Sequence, residues 1–291
     1  MPELPEVETT VRELRKRIIG HTITGMWTDW PRITRYPTDI KEFERRIKSR
    51  KIAAVQRRAK FIVINIDGKD SIFVHQKISG HLLYGKWIQQ DGKWISTGSG
   101  AIKTDSKNQY IRLIIFLNNG YQLALSDLRR FGKIMLVHDN EIDTIPAVAN
   151  LGPEPLELNR RQFSELFRNK RGNLKQVLMN PNFIVGIGNI YADEILWDTG
   201  IHPLARIEKL SEKRIKKLYN STQKILKKAI LLQGTSDSDY RLPSGIKGRF
   251  QDYTHAYHHT GQGCAKRDGG VITRLKIGGR SAHFCSVHQI K

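Results

Sequence analysis

The 291-residue sequence contains only two cysteines, Cys264 and Cys285, and both stand near its C-terminal end. A disulfide framework is therefore excluded, and in an intracellular protein such a pair points to metal binding before oxidation. Carboxylates are also scarce: 28 Asp and Glu face 49 Lys and Arg, a formal net charge of +21. An excess of that size implies a polyanionic partner, because each neutralised phosphate releases condensed counterions. Charge alone does not choose between nucleic acid and an anionic membrane surface. No apolar run approaches membrane-spanning length, and the start MPELPEVE is acidic rather than basic-then-apolar. The expectation is a soluble, unexported chain working in the cytoplasm or nucleus. Internal repeats and low-complexity tracts are lacking too. What remains is 39% apolar, enough for real cores, and the length suggests two domains.

Along the chain, Val7, Val11, Leu14 and Ile18 follow a 4-3-4 spacing that predicts a helix over 6–19, stopped by Gly20. From about 51 to 137 short runs of Ile, Val, Phe and Leu predict strands, with turns at Asp67-Gly68 and Asn119-Gly120. That pattern indicates an antiparallel sandwich led by one helix. LGPEPLE (151–157), with two prolines, has the composition of a linker. Helical patterns follow in RQFSELFR, in LKQVLM, from Asn189 onward and over 211–232, where Ile215, Leu218, Ile225 and Leu226 form the buried side. The polar, Gly-rich stretch 234–250 is expected to be a mobile loop. The tail 251–291 carries both cysteines and strand-like pieces such as VITRLKI.

The N-terminus has its own chemistry. Removal of Met1 before the small Pro2 would expose a secondary amine, a nucleophile near neutral pH. Such an amine can attack the anomeric carbon of a nucleoside and form an iminium with the opened sugar. The reaction also needs a proton donor to the ring oxygen, and Glu3 and Glu6 stand beside the amine. The competing explanation is structural, since acids and proline favour the first turn of any helix. For each acid singly that explanation is sufficient; for the whole string it is not.

The string MPELPEVETT resembles the N-terminal signature of the formamidopyrimidine-DNA glycosylase family, bifunctional base-excision enzymes related to endonuclease VIII. The likeness continues through RRAKF (57–61), HQKISG (75–80), DLRRFG (127–132), LKQVLM (174–179), GIGNIYADEIL (186–196) and GRSAHFC (279–285). The resemblance implies that Pro2 is the Schiff-base nucleophile and Glu3 the acid/base, with Glu6 assisting. It implies that Lys60 contacts phosphate and the sugar oxygen, where a lysine flanking a strand is otherwise a solvated edge residue. His75 matches the histidine of the family's HLGMSG turn, a phosphate contact; here Lys77 replaces its Gly and Ile78 its Met. With Arg129 and Phe131 of the DPRRFG-like motif, Ile78 would fill the gap left by an extruded nucleotide. Extrusion costs a few kcal/mol, which apolar wedges offset by holding the stack open. Taken alone, Phe131 would be assigned to the core. Asn189, expected at a helix N-cap, Lys175 and Arg280 match the family's phosphate-gripping residues.

The family's finger carries four cysteines in two CxxC pairs. Here Cys264, Cys285 and His288 remain as zinc ligands, and by the family's spacing Asp268 falls where a cysteine is missing. A zinc site and a zincless finger both remain open. The implied fold is α+β: residues 1–150 as a helix plus β-sandwich, 151–250 as a helix–two-turn–helix domain with a lesion-capping loop, and 251–291 as a β-hairpin finger. The expected protein is a monomer that binds damaged double-stranded DNA in a basic cleft and touches no membrane. The expected activity is excision of 8-oxoguanine and formamidopyrimidines, then β,δ-elimination. The same chemistry on oxidised pyrimidines or hydantoins, and a non-catalytic DNA-binding protein, are the alternatives. An intact Pro2, Glu3 and Lys60 argues against the last.

Overall fold

The computed structural model describes residues 1–138, 140–141 and 145–291. It divides into two compact units: Met1–Ala149 with Leu232–Gln251, and Asn150–Leu231 with Asp252–Lys291. No helix among the described residues is long and apolar enough to cross a membrane.

The first unit opens with α1 (Leu4–Ile18), which starts two residues earlier than its apolar spacing predicts. Glu3 is its N-cap and Pro5 lies in its first turn. Val7, Val11, Leu14 and Ile18 are all fully buried along one stripe. Then come β1 (Ile23–Thr28), β2 (Thr34–Tyr36) and α2 (Ile40–Ile47), which the sequence reading did not anticipate. The predicted strand region follows as β3 (Ile52–Arg58), β4 (Phe61–Ile66), β5 (Asp70–His75), β6 (His81–Gly85), β7 (Trp87–Gln90) and β8 (Lys93–Ser96). After the short α3 (Ala101–Thr104) come β9 (Ile111–Leu117), β10 (Gln122–Ser126), β11 (Lys133–His138) and α4 (Pro146–Ala149). Two sheets result, ordered β1-β9-β10-β6 and β2-β11-β5-β4-β3, with β7 and β8 as a separate hairpin. Alternation decides which side chains meet between them. Ile62, Ile64, Ile72, Val74, Ile134 and Leu136 from one sheet join Leu82, Leu113, Ile115, Leu123 and Leu125 from the other in one core. The α+β sandwich led by a helix is as expected.

The stretch 234–250, expected as a mobile loop beside the helical domain, is grouped with the first unit. It packs into the first unit, where Tyr240, Arg241 and Leu242 are buried. Backbone groups fix it: Tyr84 N–H donates to the Pro243 carbonyl at 2.8 Å, and Asn108 Nδ2 donates to the Gly245 carbonyl at 3.0 Å. Arg241 also pairs with Asp105 at 2.6 Å.

The second unit holds α5 (Arg160–Phe167), α6 (Leu174–Leu178), α7 (Asn189–Thr199) and α8 (Glu212–Leu231), then β12 (Ile272–Ile277) and β13 (Arg280–Cys285). Asn159 caps α5 through a capping box with Gln162. Helix α7 is buried on nearly every side, so its acids Asp193 and Glu194 must find partners inside the unit. Helix α8 buries Leu218, Ile225 and Leu226 on one side, while Ile215 is only half-buried. The finger is the antiparallel hairpin β12–β13, turning at Gly278 and Gly279.

Candidate active site

Pro2 is buried immediately ahead of α1, and the two carboxylates beside it are held inside the unit. Glu3 is 2% exposed and Glu6 1%. One Glu6 oxygen accepts the Glu3 backbone N–H at 2.7 Å, and the other accepts Thr235 N–H at 2.7 Å. Helix capping and site building are therefore the same contacts, so the structural and chemical explanations of these acids do not compete. Tyr240 donates its hydroxyl to the Glu6 carbonyl at 3.0 Å. Gly234, at φ +78°, makes the close approach possible, since a Cβ there would lie 2.7 Å from the Glu6 carboxylate. Thr235 and Tyr240 were not singled out from the sequence; their partners lie over 200 residues away, beyond any local signal.

Lys60 occupies a two-residue turn with Ala59, between the paired residues Arg58 and Phe61. Phe61 in turn pairs with His75 across β4 and β5, their rings in edge contact at 4.9 Å. The sheet register thus brings Lys60 and His75 into one neighbourhood. His75 Nδ1 accepts the Lys77 backbone N–H at 3.0 Å, which leaves the ring proton on Nε2 as a donor. Burial, followed by the charges of Lys77, Lys60 and Lys133, pushes the His75 pKa down to about 3. At neutral pH this residue is a neutral hydrogen-bond donor.

Ile78, Arg129 and Phe131 project from two turns that Asp127 ties together. Asp127 is fully buried; one oxygen accepts the Ser79 hydroxyl and the Arg129 N–H, and the other accepts Gly132 N–H at 2.7 Å. Ile78 is 37% exposed and Phe131 45%, so Phe131 is not a core aromatic. The Arg129 guanidinium lies over the Phe131 ring, 4.7 Å from its centroid. Asp29 holds the same loop from another side through Arg130 at 2.9 Å. Asp127, the acid of the DLRRFG string, is the residue the sequence reading passed over here.

In the second unit, Asn189 is the first residue of α7; the N-cap itself is Gly188, not Asn189. Its side-chain Oδ1 is buried with no hydrogen-bond partner among the described residues. It lines a cavity of about 270 Å³ with Tyr257, His258, Arg274, Ser281 and His283. Arg280 is exposed at the hairpin turn. Lys175, which the resemblance assigns to phosphate, is buried in the second unit. Its side chain is 1% exposed, and its Nζ donates to Asp193 Oδ1 at 2.6 Å and to the Ser281 carbonyl. Asp193 also accepts the N–H and the Nδ1 of His283. The ammonium is spent inside the protein, tying α6 and α7 to the finger strand.

The four finger residues come together. Donor atoms of Cys264, Asp268, Cys285 and His288 lie within 4.8 Å of one another, a group able to hold a metal ion. His288 turns Nε2 to the Trp197 carbonyl at 3.0 Å and points Nδ1 at Asp268 and Cys264. A backbone carbonyl on the outer nitrogen fixes the tautomer that leaves the inner one free to ligate.

A family model described as the formamidopyrimidine-DNA glycosylase N-terminal domain matches residues 1–134, and one described as the H2TH domain of the same enzymes matches 151–240. Formamidopyrimidine-DNA glycosylases of Pelotomaculum thermopropionicum and Chloroflexus aurantiacus are each 34% identical to the chain, covering 99% and 100% of it and 99% and 98% of the relatives. Among solved structures, a Lactococcus lactis FPG variant bound to Fapy-dG-containing DNA aligns with a TM-score of 0.85 at 30% identity, over 100% of both chains. The Lactococcus lactis Fpg bound to DNA containing an abasic site aligns at 0.84 and 30% identity, over 99% of this chain and 100% of that one. Full-length similarity joined to the N-terminal proline–glutamate site makes this chain a member of the formamidopyrimidine-DNA glycosylase family.

Proposed function

We propose that this chain is a DNA glycosylase and abasic-site lyase of base excision repair, acting on oxidised purines in duplex DNA through an N-terminal proline. The carrying observation is Pro2 standing against two buried carboxylates whose positions are fixed by backbone amides. With Met1 removed, the Pro2 amine attacks the sugar's anomeric carbon and the damaged base leaves. Glu3 delivers a proton to the ring oxygen as the sugar opens, and Glu6 keeps the helix start rigid beneath it. The iminium then acidifies the sugar so that β- and δ-elimination cut the strand. Lys60 and the neutral His75 hold the phosphate; Asn189 and Arg280 grip the backbone through the second unit. Ile78, Arg129 and Phe131 fill the emptied stack, which their exposure on a braced loop supports.

The finger donors suit zinc: two thiols, one imidazole and one carboxylate are all ligand types that zinc takes. Bound there, zinc would cross-link the hairpin through Cys264, Asp268, Cys285 and His288; it has no part in the Pro2 chemistry.

Borohydride trapping tests the reading. The protein should lack Met1 by mass spectrometry and cross-link covalently to abasic-site DNA on reduction, and Pro2→Gly should nearly abolish the cross-link. An undiminished cross-link in that variant assigns the amine elsewhere, with Lys60 first in line.

A further inference from the structure

One end of the five-stranded sheet carries cations that neither the Pro2 chemistry nor the wedge loop uses. Lys133 on β11 pairs with His75 on β5, and His75 pairs with Phe61 on β4. Directly paired residues share a face, and this one is opposite to Val74, Ile62 and Ile134, which enter the core. Arg35 stands on β2 beside β11, between Thr34, which pairs with Ile134, and Tyr36, which pairs with Met135. Lys77 lies in the turn leaving β5 at φ +57°, and its N–H is the one His75 accepts. Arg35 is exposed, and Lys77 and Lys133 are half-buried.

Cations placed for structure in this unit have acids: Arg46 has Asp70, Arg57 has Glu8 and Arg112 has Asp29. Arg35, Lys77 and Lys133 form no ion pair among the described residues. Burial, then the charges of Lys133, Arg35 and Lys60, hold the Lys77 ammonium below the ordinary lysine range. Like charges gathered without acids raise the energy of the free protein, and an anion laid across them removes that repulsion. Neighbouring strands lie ~4.8 Å apart, so a row from β2 through β11 to β5 spans roughly 10 Å. That is longer than a single phosphate and suited to consecutive phosphates of one strand.

We infer that Arg35, Lys77 and Lys133 form a phosphodiester track that continues from His75 along the DNA backbone. The inference rests on the proposed DNA-processing function. Phosphates fix register and add salt-dependent affinity without reading sequence. The track would extend the grip on the strand beyond the phosphate at Lys60 and His75.

The test is duplex affinity at 50 and 200 mM salt for the intact protein and for R35Q/K77Q/K133Q. Three lost contacts at a slope of about 0.9 each mean that the intact protein loses about 40-fold more affinity across that range than the variant. A control, K48Q/K51Q/K69Q, removes the same charge from exposed lysines near the opposite end of the sheet. An unchanged slope in the first variant, or an equal change in the control, overturns the track. K77R/K133R should keep the slope, and its loss there also counts against the proposal should the glutamine variant fail to fold. Cross-linking of the intact protein to abasic DNA is measured alongside. Failure of that reaction with a normal slope effect would remove the Pro2 reading and leave the track.

Discussion

Replacing Lys175 by methionine removes a fully buried ammonium and leaves the Asp193 carboxylate, itself 0% exposed, facing an apolar side chain. Asp193 keeps two bonds from His283, so its charge is not abandoned, but the Ser281 carbonyl also loses its donor. Breaking a buried ion pair from one side costs about 3–5 kcal/mol, and the orphaned carbonyl acts in the same direction. Against a total stability of roughly 5–15 kcal/mol, that is a large fraction. Urea denaturation should therefore show a much lower midpoint for Lys175→Met. Because α6, α7 and β13 all meet at this pair, DNA affinity should fall with it. The double variant Lys175→Met with Asp193→Leu removes both charges and should recover much of the stability. A phosphate-contacting lysine behaves otherwise: its loss leaves the urea midpoint in place and lowers the salt slope of DNA binding by about 1. That second pattern would refute the buried-pair assignment.

Phe131→Ala should slow excision from duplex DNA more than processing of a preformed abasic site, where less stacking has to be broken; equal slowing of both returns Phe131 to a purely structural role. Protein purified without chelator should carry about one zinc per chain by elemental analysis, lost in Cys285→Ser together with part of the DNA affinity; metal-free protein with full affinity means a finger that stands by packing alone. His81 is buried against Asn108, and burial holds its pKa down to about 4 from 6.5, so the unfolded chain protonates first as pH falls. Stability should then be full above pH 6.5 and fall by up to about 3 kcal/mol toward pH 4. His81→Gln should flatten that dependence, and an unaltered pH profile in the variant would dismiss His81 as its source.

What the sequence made legible was local. The string from Pro2 to Glu6 is contiguous, and Ile78, Arg129 and Phe131 lie within two short motifs, so their types and spacing are visible before folding. Even the finger was legible, because Asp268 sits at a spacing a cysteine would occupy. Partners distant in sequence left no such mark. Lys175 looks like a surface cation at the start of a short helix until Asp193 and Ser281 close around it. Stretch 234–250 has the composition of a loop, yet Arg241 meets Asp105 and Thr235 meets Glu6, contacts that only the folded chain creates. Strand β2 is three residues long, too short for alternation to register.

The same distinction explains why a charge count reads this protein well in sum and poorly residue by residue. The excess of +21 points to a polyanion, but it treats all 49 cations alike. Folding divides them. Lys175 is consumed by a buried acid, and Arg112 and Arg130 share Asp29 beside the turn that carries Phe131. Arg35, Lys77 and Lys133 are left without acids among the described residues, at one sheet end. Only the last kind carries charge outward, so a cation's worth to DNA depends on whether the fold has already given it an anion.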